Sequence, residues 1–172
     1  MHDPSRNIVL IGPMGSGKST VGAALAWRLG RPHVDTDQFF VARHGSIAEY
    51  FTERGEEAFR AEEERVVAEL LDAPRPSVLS LGGGSVLSPR TRETLRSQVV
   101  VMLDVTVEQA QRRLGDGSTR PMLGSDPLTA WKQIYARREA LYRECADVVI
   151  QPSAGTIDER VDTIVEALRA LH

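Results

Sequence analysis

The residues from Gly12 to Ser19 read Gly-Pro-Met-Gly-Ser-Gly-Lys-Ser, two glycines with four residues between them followed by lysine and a hydroxyl residue. Glycine opens backbone torsions that other residues avoid, so successive N–H groups can turn toward one point. A helix starting at once adds the positive end of its dipole. Lys18 brings a mobile point charge, and Ser19 brings a hydroxyl suited to a hard cation. Together these groups hold the triphosphate of a nucleotide with its magnesium ion. The strand–loop–helix context argues against a glycine-rich turn that only joins two elements.

Other residues could complete a phosphoryl-transfer site. Asp35-Thr36-Asp37 follows a short strand-like stretch. On an extended segment, residues two apart point to one side, so one carboxylate could serve hydrated magnesium and the other an acceptor hydroxyl. Aspartate at a strand-to-helix junction is equally a helix N-cap, so the pair alone reads either way. Gly82-Gly83-Gly84 follows another strand, where three glycines let a small ligand approach the backbone closely. Arg60, Arg113, Arg120 and Arg138 are candidate anion ligands, because a guanidinium pairs with a carboxylate or phosphate through two parallel hydrogen bonds. Arg60 by itself reads equally as a solvated charge on a helix. Arg120 lies in a Gly-, Ser- and Asp-rich stretch of lid-like composition, from which an arginine can close over the transferring phosphoryl group.

The elements that must position these groups are legible in the apolar pattern. Residues 7–11, 77–81, 99–103 and 148–150 are β-branched or leucine-rich runs that read as strands, with 32–35 a weaker one. Helical spacing runs over 18–29 and stops at Gly30. Short helices are expected at 39–44 and 47–54, broken at Gly45, and a charged helix over 57–71. Ser88-Pro89 opens a helix with a cap and a proline at its first position. Capping boxes at Thr106–Gln109 and Thr156–Glu159 open two more, and 127–145 is a long helix. Strands alternating with helices imply a parallel sheet covered on both faces, an α/β fold that binds ligands beyond the carboxyl ends of its strands. The glycines and aspartates singled out above all fall in loops at that end.

Composition narrows the class further. A chain of 172 residues fits one domain. A net charge of −3 gives no nucleic-acid footprint and no basic membrane helix. The single cysteine, Cys145, cannot form an intramolecular disulfide, and a reducing cytoplasm is the expected location. The apolar run before Gly12 is too short for a membrane span or a signal-peptide core.

In order and spacing, these segments resemble the shikimate kinase family. The resemblance runs from Ile8 to about Leu171. It rests on Gly12 to Thr20, Asp35-Thr36-Asp37, Ser46-Ile47 with Phe51, and Gly55-Glu56 leading to Phe59-Arg60 and Glu63. It continues through Leu79 to Gly84, Thr119-Arg120-Pro121-Met122-Leu123, and Arg138 with Leu141-Tyr142. The resemblance implies a three-layer P-loop NTPase fold of the nucleoside-monophosphate-kinase type. Its parallel sheet has five strands in the order 2-3-1-4-5, within a single domain over 1–172. A substrate-binding helical region is implied at about 36–63 and a lid at about 114–125. The implied reaction is phosphorylation of the 3-hydroxyl of shikimate by ATP, by a cytoplasmic monomer that binds neither nucleic acid nor membrane.

Carried over residue by residue, Gly15, Ser16, Gly17, Lys18, Ser19 and Thr20 bind nucleotide, with Ser19 and Asp35 serving Mg2+. Asp37 binds ring hydroxyls and is the base, with Lys18 and Arg120 as its catalytic partners. Arg60 and Arg138 grip the substrate carboxylate, and Glu63 belongs to the same pocket. Gly82, Gly83 and Gly84 form its wall, and Phe51 and Phe59 pack near the ring. Arg113 lies near the nucleobase, followed by Gln151, Pro152 and Ser153 after the last strand. One departure is Gln38-Phe39-Phe40, where many family members carry an apolar residue and then Glu. A gluconate kinase would share the phosphate loop but should lack the Phe59-Arg60 and triple-glycine combination. A nucleoside-monophosphate kinase would need a nucleobase pocket in place of paired arginines. A non-catalytic switch would need no carboxylate at Asp37.

Overall fold

The computed structural model describes residues 3–114 and 126–171. Five parallel strands form one sheet: β1 (Ile8–Ile11), β2 (His33–Asp35), β3 (Val78–Ser80), β4 (Val99–Leu103) and β5 (Val148–Ile150). Their order across the sheet is β2-β3-β1-β4-β5, as the resemblance implied. The helices are α1 (Lys18–Leu29), α2 (Thr36–His44), α3 (Ile47–Leu71), α4 (Pro89–Leu95), α5 (Val107–Leu114), α6 (Pro127–Cys145) and α7 (Ile157–Ala170).

The alternation of β1 explains the layers. Ile8 and Leu10 point to one face, where Val21, Leu25 and Ala26 of α1 and Val161, Ile164 and Leu168 of α7 cover them. Val9 and Ile11 point to the other, under Val67 and Leu71 of α3, Leu95 of α4 and Tyr142 of α6. All four β1 side chains are buried, which is why this strand reads as a continuous apolar run rather than an alternating one. A smaller cluster of Phe40, Phe59 and Val66 holds α2 against α3.

The helix starts follow their caps. Ser88 accepts from the Thr91 N–H at 3.1 Å with Pro89 behind it. Thr156 and Glu159 form the expected reciprocal box, as do Thr106 and Gln109. Within α3, Gly55 is non-helical at φ 84° and divides the element where the sequence predicts a break. One expectation is corrected. Helix α2 starts at Thr36 rather than at Phe39, so Asp37 lies in a helical first turn and not on an extended segment. Asp35 and Asp37 therefore do not share one side of a strand, and their closeness has another origin.

Candidate active site

The phosphate loop joins the centre of the sheet to α1. Gly12, Gly15 and Gly17 have φ of 144°, 80° and 87°, a region that favours glycine. At Gly12 space is a second constraint, because a Cβ there would run into the Leu103 carbonyl of β4. Helix α1 has no side-chain cap, so its first-turn N–H groups stay available to an anion.

The loop carbonyls from Gly12 to Ser16 are each held by a side-chain donor. Lys18 Nζ donates to the Gly12 and Pro13 carbonyls at 2.8 and 3.0 Å. Trp131 Nε1 donates to Met14 at 2.8 Å, Arg113 Nη1 to Gly15 at 2.7 Å and Arg160 Nη2 to Ser16 at 2.9 Å. A carbonyl held from behind turns the N–H of the next residue the other way, which is the polarity a phosphate requires, while the Ser16 N–H donates to the Pro13 carbonyl at 3.2 Å. The Ser16 hydroxyl is buried without a hydrogen-bond partner, a polar orphan at the heart of this cradle. Ser80 of β3 donates to the Lys18 carbonyl at 2.7 Å and ties the start of α1 to the sheet.

Asp35 is the helix cap, one of the two roles that the sequence left open, and it also meets Ser19. Its Oδ1 caps α2 by accepting from the Gln38 N–H at 3.0 Å, and its Oδ2 accepts from the Ser19 hydroxyl. A hydroxyl and a carboxylate in contact beside a phosphate cradle are hard oxygen donors. They suit a small cation that keeps several waters and takes the rest of its shell from phosphates. The residues present thus fit Mg2+. Among the described residues no group of three or more His, Cys, Asp or Glu side chains could hold a metal by itself, so an ion here would draw on nucleotide oxygens.

Across the β1–β3 crevice lies the acceptor side. Asp37 extends from the first turn of α2 toward Gly82, where a Cβ would stand 2.6 Å from Asp37 Oδ1 and 3.0 Å from Glu63 Oε2. The Gly82 N–H donates to Thr36 Oγ1 at 3.1 Å and locks the glycine turn to α2. At Gly84 a Cβ would collide with the Arg60 guanidinium. These two glycines therefore make room for the protein's own charged side chains. Around Gly83 the nearest neighbours are Tyr142 Oη and Arg138 Nη1, at 3.6 and 3.7 Å from a notional Cβ. Tyr142 donates to the Gly83 carbonyl at 2.5 Å and is hydrogen-bonded to the buried Arg138.

Arg60 and Glu63 pair at 2.8 Å on α3, with Glu63 buried, and the Arg60 guanidinium lies 5.1 Å from the centre of the Phe59 ring. Phe59 is itself core, 5.0 Å from Phe40, and Phe51 packs on it at 4.8 Å. The electrostatic result centres on Asp37. Burial first, then Glu63 and Asp35, push its carboxyl from an ordinary 3.8 up to about 6, against the pull of Lys18 and Arg60. A carboxylate with proton affinity raised toward neutrality is fit to take a hydroxyl proton.

Of the other sequence-predicted residues, Thr20 is exposed on the first turn of α1. Gln151 and Ser153 are exposed after β5 and Pro152 is half-buried. The Ser153 carbonyl accepts from Gln109 Nε2 of α5 at 2.9 Å, which brings this segment beside the helix carrying Arg113. The expected lid lies outside the described residues beyond Leu114, and Arg120 with it. Sequence reasoning gave no role to Tyr142, Trp131, Arg160 or Thr36. Tyr142 was discoverable, since four residues after Arg138 it shares a helix face with it.

A family model described as shikimate kinase matches residues 14–169. A shikimate kinase from Saccharopolyspora erythraea is 48% identical over 94% of this chain and 93% of its own. One from Streptomyces coelicolor is 42% identical over 94% of each chain. A solved shikimate kinase from Acinetobacter baumannii, in complex with shikimate, superposes with a TM-score of 0.91. It is 34% identical and covers 96% of this chain and 93% of its own.

Proposed function

The chain belongs to the shikimate kinase family, and on that premise we propose how its site transfers the γ-phosphoryl group of ATP to the 3-hydroxyl of shikimate. The enzyme is a phosphotransferase with an alcohol acceptor, and its products are shikimate 3-phosphate and ADP. This is a step toward chorismate and the aromatic amino acids. The observation that carries the reading is the meeting of Asp37, Arg60 and Arg138 around the glycine turn 82–84, opposite a loop built to hold phosphates.

Phosphoryl transfer needs little covalent chemistry from a protein, so positioning and charge dominate. The loop from Gly15 to Ser19, with Thr20 beyond, holds the nucleotide phosphates. Lys18 exchanges its two loop carbonyls for the outer phosphates. Ser19 and Asp35 would hold Mg2+, which when bound would neutralise charge on the nucleotide phosphates. Arg113 with Gln151, Pro152 and Ser153 frames the nucleobase, and Arg120 adds charge over the transferring group.

On the acceptor side Arg60 and Arg138 bind the shikimate carboxylate from two directions, with Glu63 fixing the fork of Arg60. Phe59 and Phe51 floor the pocket beneath the ring. Asp37 orients the ring hydroxyls and accepts the proton of the attacking one, its raised proton affinity bringing the acid and base forms close to working pH. The whole chain acts as one catalytic unit, a monomer in the cytoplasm. Among the described residues no helix is long and apolar enough to cross a membrane.

Release of ADP measured with shikimate, gluconate, AMP or no acceptor tests this reading. Turnover with shikimate alone is the expected result. Comparable turnover with gluconate or AMP would reassign the acceptor, and ADP release equal in all four reactions would make the protein a hydrolase.

A further inference from the structure

Arg160 stands where an apolar residue belongs. It shares the buried stripe of α7 with Val161, Ile164 and Leu168, and only 7% of its surface is exposed. Its Nη2 donates to the Ser16 carbonyl at 2.9 Å. Its Nη1 lies against Gly17, where a Cβ would approach it to 2.9 Å. Its Nε is buried without a hydrogen-bond partner. Burial lowers its proton affinity, and the charged neighbour acting on it is another arginine, Arg113, which lowers it further. Among the described residues Arg160 has no counter-ion, and a buried guanidinium so placed is costly, since desolvation is offset only by a paired anion. The orphaned Ser16 hydroxyl lies in the same loop. Two unsatisfied polar groups therefore meet at the loop that is read as the seat of an anion.

We infer that Arg160 is a positioning residue for the phosphoryl donor: it holds the Ser16 carbonyl outward, so that the loop N–H groups face the phosphates, and the bound triphosphate balances its charge. The inference rests on the reading of Gly12 to Ser19 as a triphosphate site. It adds a permanent cation behind the loop, supplied from α7 across 144 residues of sequence. Lys18 acts on the phosphates from the front, whereas Arg160 acts through the backbone that touches them.

The test uses the full-length enzyme with Arg160→Met and Arg160→Lys. Dissociation constants are measured for ATP and for tripolyphosphate, which has the phosphates and no nucleobase, alongside KM for both substrates and the melting temperature without ligand. For Arg160→Met, loss of one charge-assisted hydrogen bond should weaken ATP and tripolyphosphate alike by about tenfold. KM for shikimate should stay within about twofold, and the unliganded melting temperature should not fall, because an unpaired buried charge is removed. Arg160→Lys keeps the charge and loses the fork, so it should recover part of the tripolyphosphate affinity. It also decides the matter if the Met variant does not fold. Unchanged tripolyphosphate affinity in both variants would overturn the inference. A loss confined to ATP would make Arg160 a nucleobase contact, and equal losses for both substrates with a lowered melting temperature would make it merely structural. Failure of the unmutated enzyme to bind either probe would instead overturn the triphosphate reading on which the inference rests.

Discussion

Asp37→Asn should make the protein inactive and, at neutral pH, more stable. The carboxyl is pushed from 3.8 up to about 6, chiefly by burial and then by Glu63 and Asp35. An acid whose proton affinity is higher in the folded state favours folding fully below pH 4. That contribution is lost as pH rises through about 6, because the unfolded chain gives up the proton first. At about 1.4 kcal/mol for each tenfold change in proton affinity, the interval sets a ceiling of about 3 kcal/mol at pH 7.5. The carboxyl retains some exposure, and screening there brings the expected gain to about 2 kcal/mol. Asparagine keeps the shape and removes the charge. Urea denaturation of both proteins at pH 4 and pH 7.5, without ligands, gives the comparison. The difference in unfolding free energy should be near zero at pH 4 and about 2 kcal/mol in favour of the variant at pH 7.5. Turnover should fall by orders of magnitude while ATP still binds. A difference that does not change with pH, or a variant less stable at pH 7.5, would refute the view that Asp37 is held in an unfavourable charged state.

The remaining predictions concern its neighbours. Gly82→Ala introduces a methyl group 2.6 Å from Asp37 Oδ1, so kcat should fall at least tenfold with KM for ATP nearly unchanged, as steady-state kinetics will show. Arg60→Ala should raise KM for shikimate by about 10- to 100-fold and lower the melting temperature, because buried Glu63 loses its partner. An effect on ATP affinity instead would remove Arg60 from the carboxylate site. Tyr142→Phe deletes the bond to the Gly83 carbonyl, and should cost about 1 kcal/mol in urea denaturation and a few-fold in KM for shikimate alone. Ser19→Ala should raise the magnesium concentration needed for half-maximal rate, and an unchanged titration would dissociate Ser19 from the ion.

Much of this site is legible in the sequence because its parts are local. Gly12 to Ser19 carries its own backbone demands, and strand β1 with helix α1 bounds it on both sides. Asp35 was readable as cap or ligand because both roles need a carboxylate at a strand-to-helix junction. The glycines at 82–84 were legible as a site of close approach. Their reason was not: at Gly82 and Gly84 the approaching groups are Asp37, Glu63 and Arg60, which arrive from other helices. The same limit hid Trp131 and Arg160, whose bonds to Met14 and Ser16 span 117 and 144 residues and exist only once α6 and α7 have packed. For Arg160 a signal was available. An arginine four and eight residues before Ile164 and Leu168 sits on the apolar face of an amphipathic helix, where a charge calls for a reason. Placing Asp37 on a strand failed because helix α2 begins at once after β2, capped by Asp35 itself.

The central claim is that the phosphates held by Gly12 to Ser19 are delivered to a hydroxyl beside Asp37. Phosphorus NMR of the product formed from ATP and shikimate tests it most directly. The account predicts one new phosphate ester, coupled to the proton at carbon 3, formed in step with ADP and absent in Asp37→Asn. An ester at another ring position, or inorganic phosphate as the phosphorus product, would contradict it.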